Sequence, residues 1–216
     1  DMLERNGETY IRIIDYKSGN KEFKINDVYY GVQMQLLVYL DAILSELSKN
    51  GKQNVMPAGV LYFRLDDPVI KAKGEMGEDE ILSGIMKVLR MNGLILNNLS
   101  VINSMDCELS GTSDIIPVSI NKDNSISNRS SCVDNNQFDI LRDYVKVLVK
   151  RICSEIISGN ADIKPYKKKG ITSCIYCSFS SICQFDEGIK GNKYRILKEK
   201  KEEELWKLLK NEVEKN

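Results

Sequence analysis

Histidine is absent from the 216 residues. That excludes Ser-His-Asp and Cys-His catalysis built within this chain, and every histidine-ligated zinc site. Acid–base and ligand chemistry must therefore come from carboxylates, Lys, Tyr and Cys. An excess of either charge is missing as well, since 31 Lys and Arg stand against 31 Asp and Glu. Attraction to nucleic acid or acidic membranes then has to come from local patches rather than from the global field. No apolar run approaches the ~18 residues of a spanning helix, and no basic-then-apolar leader opens the sequence. A soluble, unexported protein without a membrane partner is expected. Internal repeats and low-complexity segments are lacking too.

What is present suffices for a packed domain. Hydrophobic residues make up 42% of the chain, which excludes a disordered tail. The 6 Cys, in the compartment just inferred, point to thiols or metal ligands before disulfides. The sequence opens Asp1-Met2-Leu3 within what reads as a strand, with no initiator Met ahead of it, so a piece of a longer polypeptide is expected.

Tyr10 to Tyr16 is β-branched and aromatic, lies between Asn6-Gly7 and Ser18-Gly19-Asn20, and predicts a strand ending in a polar turn. Val28, Val32, Leu36, Leu40, Ile43 and Leu47 recur at three and four, which predicts one helix from Asp27 to Ser48. Met56 to Leu65 reads as a buried strand closed by Asp66-Asp67-Pro68. A mobile loop is expected over Lys71 to Asp79, a short helix over Glu80 to Met91 and a third strand over Ile115 to Ile120. Asn121 to Asn136 reads as a long polar loop, and Phe138 to Ile156 as an amphipathic helix stopped by Gly159. Leu197, Leu205 and Leu208 among alternating Lys and Glu suggest a surface helix over Tyr194 to Glu214.

Asp15-Tyr16-Lys17 places an acid and an ammonium two apart on a strand, hence on one face of the sheet. Metal-dependent phosphodiester cleavage needs such a pair: the acid holds Mg2+ and the lysine neutralises charge near the attacking water. Taken alone the triplet equally describes a surface ion pair. Gln35 and Tyr39, four apart on the following helix, stack an amide and a phenol on one face that can touch a phosphate or orient a neighbour. By spacing alone they also describe two half-buried polar residues.

The combination of D-Y-K-S-G with G-x-Q-x-Q-x-x-x-Y-L-D-A resembles the RecB-like branch of the PD-(D/E)XK nucleases. The resemblance implies an α/β, restriction-endonuclease-like core with a mixed central sheet flanked by helices. It carries the metal-binding acid to Asp15, the catalytic lysine to Lys17 and the Q-x-x-x-Y pair to Gln35 and Tyr39. That family also uses an earlier acid in the wording G-x-I-D-R-x-D. Asp1 matches the second acid of that wording and is a candidate Mg2+ ligand, with the upstream remainder of the set absent.

Cys174-Ile175-Tyr176-Cys177-Ser178-Phe179-Ser180-Ser181-Ile182-Cys183 is C-x2-C-x5-C, a spacing that favours a metal site over core packing. Zinc and iron–sulphur clusters both want four ligands, so a fourth is needed from Cys107, Cys132, Cys153 or beyond the chain. Cys153, between Ile152 and Ile156, reads as a buried structural thiol, whereas Cys107 and Cys132 fall in expected loops. A RecB-like nuclease ending in C-x2-C-x5-C followed by Gln184-Phe185-Asp186 resembles the nuclease domains of AddB-type helicase-nuclease subunits. Gly59-Val60-Leu61-Tyr62-Phe63, Met91-Asn92-Gly93-Leu94 and Pro165-Tyr166-Lys167 extend that likeness over nearly the whole chain. The resemblance implies a bacterial cytoplasmic DNA exonuclease of double-strand-break repair, paired with an AddA-type subunit. It also implies a 4Fe-4S cluster on Cys174, Cys177 and Cys183, whose remaining Cys lies far upstream.

The implied division is a nuclease core over 1–165, a cysteine segment over 166–188 and a charged C-terminal helix over 189–216. A CRISPR-associated RecB-like exonuclease also joins D-x-K to a cysteine-ligated cluster, but those proteins are compact, and the long interval between Lys17 and Cys174 favours the AddB type. A non-catalytic module that binds DNA or a partner, with Asp15 and Lys17 as a plain ion pair, is the rival from another class. The lysine runs Lys164 to Lys169 and Lys198 to Lys201 read as solvated faces or as phosphate tracks.

Overall fold

The computed structural model describes residues 1–71 and 74–215. It opens with β1 (Met2–Arg5), a turn at Asn6-Gly7 and β2 (Glu8–Lys17), followed by α1 (Ile25–Tyr29), α2 (Gln35–Lys49) and β3 (Val55–Arg64). After α3 (Glu78–Leu89) come β4 (Asn92–Leu96), α4 (Leu99–Met105), β5 (Cys132–Val133) and α5 (Asn135–Ile157). The chain ends with β6 (Tyr166–Lys168), β7 (Ile171–Thr172), α6 (Ser180–Cys183), β8 (Arg195–Ile196) and α7 (Glu202–Glu214).

The main sheet has the order β1-β2-β3-β4-β5. β2 and β3 pair in parallel, as do β4 and β5, while β1 on β2 and β3 on β4 are antiparallel. The sheet is therefore mixed, as the α/β expectation required. Side chains alternate across it. On one face Ile11, Ile13, Val60 and Leu94 meet Leu36, Leu37 and Leu40 of α2, Phe138, Leu141 and Val145 of α5, and Leu205 and Leu209 of α7. On the other, Leu61 and Ile95 pack with Ile102 of α4 and with Ile116 and Val118. The crossover from β2 through α1 and α2 to the parallel β3 sets α2 directly beside the end of β2.

Several expectations need correction. The helix expected from Asp27 to Ser48 is broken in two, because Gly31 adopts φ +75° and Val32 and Gln33 both donate their backbone N–H to Asp27 O. The strand expected over Ile115 to Ile120 forms only isolated bridges, Thr112 with Ser119 and Ile120 with Ile126, and its apolar residues fill the second core cluster instead. β4 and α4 lie where no element was expected, and β5 falls inside the expected polar loop. α7 is no mere surface helix, since Leu205 and Leu209 are buried against α5. Part of the loop expected over Lys71 to Asp79 lies outside the described residues.

A second, three-stranded sheet of order β7-β6-β8 carries the cysteine segment. It is joined to the core at α1. Lys168 forms an ion pair with the buried Asp27, Tyr30 Oη donates to Lys198 O at 2.7 Å, and Asn26 bonds both N–H and C=O of Lys200.

Candidate active site at the end of β2

Asp15 and Lys17 sit in the last residues of β2 and project to the face that α2 covers. Lys17 Nζ lies 2.7 Å from Asp15 Oδ2. The approach misses hydrogen-bond angles, so Asp15 Oδ2 is a buried oxygen with a neighbouring cation but no aligned donor. Lys17 Nζ instead donates to Gln35 Oε1 at 3.2 Å, and Gln35 Nε2 donates to Tyr39 Oη at 3.0 Å. Gln35 is the first residue of α2, where side chains reach past the helix end, and Tyr39 stands one turn on. The four sequence-derived residues thus form one chain of contacts: Asp15, Lys17, Gln35, Tyr39.

Tyr62, paired with Asp15 across the parallel ladder, completes the floor, and Lys17 Nζ lies 5.7 Å from its ring centroid. Burial pushes the Tyr62 phenol above its ordinary range, and the Asp15 charge pushes it further. Tyr62 therefore stays neutral at physiological pH and adds no second anion beside Asp15.

The loop from 21 to 24, between β2 and α1, is tied down by two amides. Asn92 accepts from Phe23 N at 2.8 Å and donates to Lys21 O at 2.7 Å. The buried Gln33 accepts from Lys24 N at 3.0 Å and donates to Glu22 O at 2.7 Å. Sequence reasoning missed these roles of Tyr62, Asn92 and Gln33. Gln33 had a signal, as the first Gln of the G-x-Q-x-Q wording, while Tyr62 and Asn92 were visible only as parts of apolar runs.

Asp1 is not brought to this site. Its carboxylate is held by the Arg12 guanidinium, with Oδ2 at 3.1 Å from Nε and 2.6 Å from Nη2, and Arg12 alternates to the sheet face opposite Asp15. The candidate Mg2+ role for Asp1 is thereby corrected: the ion pair occupies its carboxylate on the wrong side of the sheet. A divalent ion fits what remains in one respect, since Asp15 offers a hard oxygen with no aligned donor. Among the described residues no group of three Cys, Asp or Glu converges as a metal cage.

Cys174 is half-buried, Cys177 and Cys183 are exposed, and none of them is in a disulfide. Cys177 N donates to Cys174 O at 3.2 Å, so the first two thiols flank a tight turn, and Cys183 closes α6. Cys153, expected to be a buried thiol, is exposed, because α5 turns its apolar stripe from Phe138 to Leu148 inward and leaves its last turns in solvent. Cys132 lies in β5 and Cys107 is exposed.

The family model described as the PD-(D/E)XK nuclease superfamily matches residues 1–184. The chain is 52% identical, over 99% of its length, to an ATP-dependent helicase/deoxyribonuclease subunit of Clostridium botulinum strain Hall. Proteins of the same description match from Acetivibrio thermocellus, 49% identical over 99% of the chain, and from Thermoanaerobacter sp. strain X514, 47% identical over 100%. In each case the chain covers 19% of the relative, about a fifth of its length. With a family match running from β1 to α6 and embracing the whole site at the end of β2, the chain belongs to the PD-(D/E)XK nuclease superfamily.

Proposed function

We propose that this chain is the nuclease part of a helicase-nuclease subunit and hydrolyses DNA phosphodiesters with Mg2+ at the end of β2. The observation that carries the reading is the juxtaposition of a buried, donor-free carboxylate oxygen on Asp15 with the Lys17 ammonium 2.7 Å away. Asp15 would hold the ion, which when bound supplies a Lewis acid for the phosphate and a water of lowered pKa. Lys17 neutralises charge building on the phosphate oxygens. Gln35 accepts from the ammonium and is itself braced by Tyr39, which narrows the rotamers open to Lys17. Asp1, engaged by Arg12, is left out of the set.

The relatives' name, a subunit of an ATP-dependent helicase/deoxyribonuclease, supports DNA as substrate and an AddA-type subunit as partner. We assign 1–165 to the nuclease core, 166–188 to the cysteine segment and 189–216 to the closing helix. Cys174, Cys177 and Cys183 would supply three thiolates to a 4Fe-4S cluster, the fourth coming from outside this chain. Their spacing and unbridged thiols support that assignment. Among the described residues no helix is long and apolar enough to cross a membrane.

The test is Lys17→Ala in the complete subunit, assembled with its partner while the partner's nuclease site is inactivated. Cleavage should fall ~10²-fold or more with DNA binding retained. Undiminished cleavage would sink the assignment. Iron and sulphide content of the same preparation tests the cluster, and substoichiometric values in anaerobically purified protein would remove it.

A further inference from the structure

The two lysine runs are poor phosphate tracks, because their charge is already met. Lys164 pairs with Asp162 at 2.7 Å, Lys167 with Glu187 at 3.5 Å, Lys168 with Asp27, Lys169 with Glu199 at 2.8 Å and Lys200 with Glu204 at 2.9 Å. Unmatched positive charge gathers elsewhere. A hollow of about 350 Å³ begins at Lys17, at the end of the sheet where β2 and β3 finish and β4 begins, and Lys21, Arg64, Lys87 and Arg90 line it. A second hollow of about 580 Å³ shares Arg90, Pro117 and Ser131 with the first and continues to Arg129. Together they form one groove.

Lys21, Lys87, Arg90 and Arg129 have no carboxylate partner among the described residues. Arg90 only donates to Ser113 O at 3.4 Å, and Arg129 uses its backbone N–H on Ser127. Arg64, by contrast, is held in an ion pair by Asp66. The one carboxylate residue on the described groove wall, Glu22, pairs with Lys24 at 2.7 Å. Beyond Arg90 the wall is hydroxyl-rich, with Thr112, Ser119, Ser127 and Ser131, and carries no acid. In a chain of zero net charge, such a groove is a local funnel for a polyanion.

We propose that this groove is the track of one DNA strand beyond the reacting phosphate, with Lys21, Lys87, Arg90 and Arg129 as its phosphate contacts. The inference rests on the nuclease reading above and names DNA-positioning residues for it. Cations set along the wall and hydroxyl donors at Thr112 and Ser119 suit a sugar–phosphate backbone read without regard to base. They act on where the strand lies, not on the bond broken, so their loss should appear in KM.

The experiment uses the complete subunit with its partner, the partner's nuclease site inactivated, and a labelled single-stranded oligonucleotide. Arg90→Gln/Arg129→Gln should raise KM for cleavage ~10-fold or more with kcat within about twofold. Arg90→Lys/Arg129→Lys should restore much of the loss. Lys164→Gln/Lys169→Gln, on the neutralised run, should leave both constants unchanged. Without divalent metal, a photoreactive p-benzoylphenylalanine in place of Thr112 should crosslink to the oligonucleotide. An unchanged KM in the glutamine pair together with no crosslink at 112 would overturn the groove. If Lys17→Ala still abolishes cleavage, that failure leaves the nuclease reading standing. A crosslink at 112 in a protein whose cleavage ignores Lys17→Ala would do the reverse.

Discussion

The side-chain carbonyl of Gln35 accepts a hydrogen bond from Lys17 Nζ at 3.2 Å. The two residues come from different elements, the last position of β2 and the first of α2, so the bond depends on how the intervening 18–34 segment folds. Gly31 breaks the helical run there with φ +75°, and Asp27 O then takes two backbone donors across the break. A continuous helix from Asp27 would have carried Gln35 past the end of β2. The sharp entry into α2 is what turns an i, i+4 pair into a brace for the lysine.

Gln35→Leu in the complete subunit should therefore lower kcat for DNA cleavage, by ~10-fold, with KM little altered. Lys17→Ala should cost more, ~10²-fold or beyond, since it removes the charge rather than its orientation. Single-turnover cleavage assays compare the two. Equal loss in both variants would mean that Gln35 touches the reacting phosphate itself.

Gly93→Ala should destabilise the fold strongly. A Cβ at Gly93 would fall 2.0 Å from Val60 O and 2.9 Å from Leu61 Cα, both backbone atoms of the neighbouring strand, and φ is +153°. Because β3 and β4 must part to make room, the loss should reach ~2–3 kcal/mol or more. Chemical denaturation measures it, and a wild-type midpoint would show that β4 does not hold this register.

Lys168→Met should loosen the joint between the cysteine sheet and the core. Lys168 is the ion-pair partner of Asp27, whose side chain is 9% exposed, so truncation strands a buried carboxylate. The cost should be up to ~3 kcal/mol, much of it recovered by adding Asp27→Leu, which removes the stranded charge. A double-mutant cycle followed by denaturation reads this out, and additive losses would mean the pair is only incidental.

How much of this was visible in the sequence depended on whether the governing contacts were local. Asp15, Lys17, Gln35 and Tyr39 lie within two adjacent elements, and their spacing alone put each pair on one face. The apolar run Gly93 to Leu96 was too short to tell from a connection, and only its pairing with β3 makes it β4. Ile115 to Ile120 has strand composition, yet tertiary packing of Ile116 and Val118 decided its course. The groove was invisible because Lys21, Lys87, Arg90 and Arg129 come from separate segments, while the conspicuous lysine runs are neutralised by acids distant in sequence such as Asp27. Charge clusters in sequence report composition; in the fold, what counts is which charges lack a partner.

Cys132 offers a test of the sheet edge that is independent of nuclease activity. Burial between β5 and the second core cluster pushes its thiol up to about 11, from an ordinary 9.0. The thiolate is the reactive form, so alkylation at pH 8 should be slow at Cys132 and fast at the exposed Cys107 and Cys153. Its rate should climb about tenfold per pH unit until the thiol titrates. The sign for stability follows from the same shift. As pH rises past 9.0 the unfolded chain loses this proton first, so Cys132 lowers folding stability progressively between its ordinary value and about 11. Mass spectrometry of peptides after timed iodoacetamide treatment, repeated with Cys132→Ser under denaturant at pH 8 and pH 10, separates the two effects. Rapid labelling of Cys132 at pH 8 would show that β5 does not stay closed on β4.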